Sequence, residues 1–180
     1  MSHVIAAVST GNQISAIGII RLTGDGCANV GGKVFTLKSG IPLWEAPNRK
    51  LVLGELHDKQ GRIIDQCMAV YTRGPHSYTG EDTVEFHCHG GVNIARGILK
   101  KTFSLGARSA EKGEFTRRAF LNGKVDLTQA EAVMDLIAAN GRLAAKAALE
   151  VREGAVFRRL EGIKETLIGL QAQFSAFVDY

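Results

Sequence analysis

Cysteine is scarce in this chain and badly spaced for covalent or metal chemistry. Cys27, Cys67 and Cys88 are odd in number and form no C-x-x-C pair, which argues against a disulfide framework and for a reducing, cytoplasmic setting. Proline is also rare. Pro42 and Pro47 both fall in Ile41–Lys50 beside the only tryptophan, Trp44, so that segment reads as an irregular connection. No apolar run is long enough to span a bilayer, and the N-terminus lacks the basic start and long apolar core of a secretion signal. Neither a membrane span nor an export leader is expected. A strong charge of one sign is missing too. The formal net charge is +4 and the pI about 9.1, compatible with RNA or an anionic ligand but too weak to argue for either.

What remains is an ordinary globular composition, with 45% hydrophobic and 22% charged residues in 180 positions. That is enough for one sizeable domain, or a smaller domain with part of another. His3–Ser9 and Ile17–Thr23 read as buried strands joined by a polar loop, Thr10–Ser15. Arg21 is the odd member of the second strand, because a guanidinium there needs an anionic partner or an exit to water. A structural salt bridge and a bound ligand both satisfy that need. Leu51–His57 and Ile63–Thr72 read as strands joined by a hairpin at 58–62, followed by a loop at 74–82 with Glu81 and Asp82 at its exit.

Thr83–His89 alternates, putting Val84, Phe86 and Cys88 on a core face and Glu85, His87 and His89 on a polar one. A zinc site from His87, Cys88, His89 and Cys67 is disfavoured, since adjacent strand residues point to opposite faces. The same geometry turns Cys88 into the core and away from nucleophile chemistry. No catalytic residue and no metal ligand is assigned. A helix is expected from about Val92 to Leu105 after Gly90-Gly91. Glycine-rich Gly24–Lys33 matches no nucleotide loop: a phosphate loop ending at Lys33 needs glycine at Cys27 and Ser or Thr at Val34, and the dinucleotide pattern lacks its third glycine at Asn29.

Gly113–Ile137 packs a helix stop, a lysine and a helix start into a short stretch. Phe115 and Ala119 share a face, Asn122-Gly123 ends that helix, and Thr128 with Glu131 is expected to form a capping box for the next. Lys124, held between the two helix ends, either meets an anion or is a solvated linker lysine. From Leu149 onward the pattern is helix alone. Val156, Leu160, Ile163, Leu167, Leu170, Phe174 and Phe177 form an a/d seam. Such a seam needs a partner beyond the helix at 128–140, so further helices or a second subunit, and hence a fragment of a longer protein, are expected.

Ser77–Asp82 (SYTGED), His89–Gly91 (HGG), Gly113–Lys124 (GEFTRRAFLNGK), Asp126–Ile137 (DLTQAEAVMDLI) and the strand Gly18–Gly24 together resemble the tRNA modification GTPase family, MnmE, also called TrmE. The likeness covers essentially the whole chain. It departs at 10–15, where the family usually has a Pro-Pro-Gly loop, and at Lys112, where proline normally precedes Gly-Glu-Phe. The resemblance implies an α+β fold: an N-terminal mixed-sheet domain over 1–122, similar to the tetrahydrofolate-binding fold of aminomethyltransferases, then the long helices of a helical domain over 123–180. It implies that Arg21, Glu85 and Lys124 contact a formyl-tetrahydrofolate such as 5-formyltetrahydrofolate. A homodimer through the N-terminal domain and a flavoprotein partner, MnmG, are also implied, with modification of carbon 5 of the wobble uridine of certain tRNAs. GTP, potassium and magnesium would belong to a GTPase domain absent from this chain, which is therefore expected neither to hydrolyse GTP nor to complete the modification.

Physically, a pterin's ring N–H and amino group form a donor pair suited to Glu85, while Arg21 and Lys124 suit a glutamate tail or a carbonyl oxygen. Two other functions compete: a self-sufficient folate-dependent one-carbon transferase, and an RNA-binding module using Arg117, Arg118 and Lys124 as a basic edge.

Overall fold

The structure, a computed structural model, describes residues 3–11 and 14–178. It divides into two compact units, Met1–Lys124 and Val125–Tyr180. The first is built on a seven-stranded mixed sheet. Its strands are β1 (Ile5–Val8), β2 (Ser15–Thr23), β3 (Phe35–Leu37), β4 (Leu51–His57), β5 (Ile63–Thr72), β6 (Thr83–Gly90) and β7 (Arg108–Ser109). They lie in the order β3-β4-β5-β6-β2-β1-β7, antiparallel throughout except for the parallel β1–β7 pair. The expected strands and the β4–β5 hairpin are present. Part of the expected 10–15 loop, Asn12 and Gln13, lies outside the described residues.

Period-two alternation sorts the sheet into two faces. Ile20 and Leu22 of β2, Leu56 of β4, Ala69 and Tyr71 of β5, and Val84, Phe86 and Cys88 of β6 are buried. They form the core with α1 (Cys27–Gly32) and α2 (Val92–Ser104), which pack on this side through Ala28 and Ile98. Phe35 of β3 packs on Phe86 with ring centroids 5.7 Å apart. Gly54 on β4 makes room for it, because a Cβ there would stand 2.3 Å from both the Phe35 ring and the Thr36 carbonyl. The other face is open. Cross-strand register sets Leu51, Val70, Glu85 and Arg21 in one row, and Leu53, Met68, His87 and Ile19 in the next.

After β7, Gly113 opens α3 (Glu114–Leu121), and Asn122 with Gly123 (φ +66°) closes it, as the glycine stop signal predicts.

The second unit consists of α4 (Leu127–Ala138), α5 (Arg142–Arg152) and α6 (Ala155–Val178). The capping box is not Thr128 with Glu131. Asp126 is the cap: its Oδ1 accepts the Gln129 N–H at 2.8 Å, and the Gln129 Oε1 accepts the Asp126 N–H at 2.9 Å. The helix starts before Thr128, whose hydroxyl sits inside the first turn and donates to Asp126 at 2.6 Å. From Leu149 onward the described residues are helical as expected, in two pieces, with Gly154 at φ +80° separating α5 from α6. Ala132 and Ala148 are the buried residues of α4 and α5, and the expected seam on α6 is exposed along its length. No described helix is long and apolar enough to cross a membrane.

Candidate functional site

Arg21 and Glu85 face each other across the β2–β6 register on the open side of the sheet. Arg21 Nε donates to Glu85 Oε1 at 2.6 Å, with both side chains partly buried. Of the two partners expected for this arginine, the structure supplies the internal one. The guanidinium also lies over two rings, 5.6 Å from the Tyr78 centroid and 5.5 Å from that of Phe115. Such contacts favour a planar cation over an ammonium. Glu85 Oε2 remains, and His87 Nε2 approaches it to 3.5 Å. That geometry is too poor for a hydrogen bond, so this buried ring nitrogen has no hydrogen-bond partner among the described residues.

The 77–82 loop brings in the third residue. It is held from within by the Asp82 carboxylate, which accepts the Tyr71 hydroxyl at 2.5 Å and the Gly74 N–H at 2.9 Å, and by a bond from the Ser77 hydroxyl to the Glu81 carbonyl. α3 then clamps its outside. Asn122 Nδ2 donates to the Thr79 carbonyl at 2.7 Å, Tyr78 and Thr116 share a hydroxyl bond at 2.8 Å, and Arg118 Nη1 reaches Glu81 Oε2 at 2.8 Å. Two motifs far apart in sequence therefore form one surface. Gly80, at φ +80°, lets Lys124 lie against the loop: a Cβ on Gly80 would stand 3.2 Å from Lys124 Cγ. The Lys124 ammonium makes no ion pair among the described residues and is exposed. Arg21 and Glu85 are thus in direct contact, and Lys124 joins them through the loop that carries Tyr78.

Sequence reasoning missed Tyr78 and treated Phe115 only as part of an apolar helical face. An aromatic that stacks on a cation has the same sequence signature as one that fills a core. His89 leaves the polar row, because its Nδ1 bonds Asp65 Oδ1 at 2.7 Å and its backbone N–H bonds Asp65 Oδ2 at 2.8 Å. The RNA-binding edge loses its central member. Arg118 is only 9% exposed on its side chain and is spent on Glu81 and Glu114, while Arg117 lies near Glu111 and Glu114. Cys67 and Cys88 are buried on the helix-covered face. Desolvation pushes the thiols of Cys27 and Cys67 up to about 12 and that of Cys88 to about 11, leaving all three protonated at neutral pH. Among the described residues no cluster of three or more His, Cys, Asp or Glu side chains is arranged to hold a metal ion.

A cavity of about 490 Å³ between β2, β6 and α2 is walled in part by Ile20, Cys88, Ala95, Leu99 and Phe103. It lies on the opposite side of the sheet from Arg21 and Glu85. The polar site is an open surface, and the apolar cavity is separate from it.

The family model described as the N-terminus of the GTP-binding protein TrmE matches residues 4–124, and that of the MnmE helical domain matches 127–180. Curated relatives named tRNA modification GTPase MnmE align along the chain. The protein from Synechococcus sp. (strain JA-3-3Ab) is 40% identical over 182 residues, covering 100% of this chain and 39% of the relative. One from Thermus thermophilus is 44% identical, covering 98% and 40%, and one from Aquifex aeolicus 43%, covering 100% and 39%. The chain therefore spans about two fifths of the length of these relatives.

Proposed function

The chain belongs to the MnmE family of tRNA modification GTPases, as its N-terminal and helical segments, and from that premise we propose that it binds a one-carbon tetrahydrofolate, such as 5-formyltetrahydrofolate, on the open face of its sheet. The observation that supports this is the meeting of Arg21, Glu85 and the two rings over Arg21, Tyr78 and Phe115, beside a lysine with no counter-ion among the described residues. An ionised carboxylate is an acceptor only. Glu85 spends one oxygen on Arg21 and keeps Oε2 toward a ligand, which suits the parallel N–H donors of a pterin edge. Arg21 Nε holds Glu85, while its terminal N–H groups have no partner among the described residues and suit a carbonyl oxygen. Lys124, an exposed point charge, suits the carboxylate of a glutamate tail. When bound, the folate would supply a carbon unit at the formyl oxidation level.

In this reading the chain binds and orients the donor rather than turning it over. For the whole protein we propose the wider assembly: homodimerisation through the sheet unit, partnership with the flavoprotein MnmG, and modification of carbon 5 of the wobble uridine of tRNA in the cytoplasm. GTP hydrolysis with potassium and magnesium would be supplied by a segment outside this chain.

Comparing 5-formyltetrahydrofolate with its tail-less pteroate analogue tests the assignment. Wild type is expected to prefer the tailed ligand by about five- to tenfold, and Lys124→Ala to bind both alike. A preference that survives in Lys124→Ala would remove the lysine from the site. Incubation with the donor alone separates the transferase alternative: a binding module leaves the formyl group in place, and an enzyme consumes it.

A further inference from the structure

His87 Nε2 is one of two buried side-chain polar atoms without a hydrogen bond among the described residues. Buried polar atoms in folded proteins are as a rule partnered, so an exception at a site calls for a reason. Its cross-strand neighbours, Met68 and Ile19, are apolar and offer none. The nearby acceptor is Glu85 Oε2 at 3.5 Å, two residues along the same strand. Nε2 itself is shut off from solvent, so a ligand meets Glu85 rather than this nitrogen.

Building on the reading of Glu85 as the carboxylate that meets the ligand's donor pair, we infer that His87 is a positioning residue that fixes the plane of the Glu85 carboxylate from one side while Arg21 fixes it from the other. A carboxylate has about four lone-pair sites, two on each oxygen. Arg21 Nε occupies one on Oε1. A small rotation that closes the His87 contact occupies one on Oε2. One site is then left on each oxygen, side by side and coplanar, the arrangement that two parallel N–H donors require. Without His87, Glu85 is held at one oxygen and turns about that bond. The imidazole must carry its proton on Nε2, either as that neutral tautomer or as imidazolium, for the clamp to work.

The test uses the full chain with His87→Leu, which fills the space without a donor, and His87→Gln, which restores an N–H. His87→Leu is expected to weaken 5-formyltetrahydrofolate binding about tenfold and His87→Gln by no more than about threefold. In a Glu85→Gln background, His87→Leu should add less than about twofold, because the two residues act as one unit. Equal losses in the two His87 variants, or an undiminished loss in the Glu85→Gln background, would overturn the inference. Nitrogen-15 NMR of the histidines in the ligand-free chain gives a readout independent of folate. Wild-type His87 should be protonated at Nε2, with a resonance that moves in Glu85→Gln. If that holds while no folate binds, the folate reading fails and the clamp stands. A neutral ring protonated at Nδ1 and indifferent to Glu85→Gln rejects the clamp whatever folate does.

Discussion

Glu114 illustrates what a single buried charge does here. Its side chain is 1% exposed and takes a two-point contact from Arg108 through both carboxylate oxygens, with Arg118 Nη2 at 3.2 Å and the Glu111 N–H at 2.8 Å. The Arg108 hydrogen bonds, helped by the Glu111 N–H and Arg118 and opposed by desolvation, lower its pKa from 4.5 to about 2. The folded value lies below the unfolded one, so this stabilisation is present above about 4.5 and is lost as pH falls toward about 2. Thermal melts should therefore lose stability across that acid window. Glu114→Gln should flatten that limb and cost roughly 2–4 kcal/mol at neutral pH, because Arg108 loses its carboxylate partner and Arg118 keeps only Glu81 and the His3 carbonyl. An unchanged acid limb in the variant would place the sensitivity elsewhere. Arg21, Glu85 and Lys124 were legible at this scale as polar residues in places that demand a reason. That Arg21 answers Glu85 was not, because a cross-strand pair depends on a register that neither strand contains alone.

Elements with a strong internal period were legible, and those defined by their neighbours were not. The hairpin of β4 and β5, the alternation of β6 and the α3 stop all carry local signals. β3 and β7, at three and two residues, exist because β4 and β1 pair with them, and no periodicity shows in so short a run. Sequence spacing places the cap of α4 two residues late, because Asp126-x-x-Gln129 and Thr128-x-x-Glu131 fit the same pattern. Only the extended backbone at Asp126 (φ −81°, ψ 174°) decides between them. Asp126→Ala should cost about 1 kcal/mol and Thr128→Ala distinctly less, read as denaturant midpoints. A larger loss at Thr128 would make the threonine the cap after all. On β4, Gly54→Ala drives a methyl group into Phe35 and the Thr36 carbonyl. It should destabilise the sheet unit by roughly 2–3 kcal/mol, seen as a lower melting temperature. A melting temperature equal to wild type would show that Phe35 and β3 yield easily.

Over the whole molecule, the division at Lys124 sets the sheet unit and its polar surface apart from the helices that follow. The motifs SYTGED and GEFTRRAFLNGK, read as separate signals in sequence, are halves of one interface. Asn122, Thr116 and Arg118 of the second hold Thr79, Tyr78 and Glu81 of the first. That docking places the lysine's stem against the loop whose tyrosine covers Arg21. Chain order alone does not reveal such a meeting, because it is made by tertiary packing of α3 on the loop between β5 and β6. The proposed folate binding rests on it, and calorimetric titration of the chain with 5-formyltetrahydrofolate tests it most directly. Measurable binding by wild type, about tenfold or more weaker in Glu85→Ala and about three- to tenfold weaker in Lys124→Ala, is the predicted result. Equal affinity in all three proteins, or no binding by wild type, would contradict it.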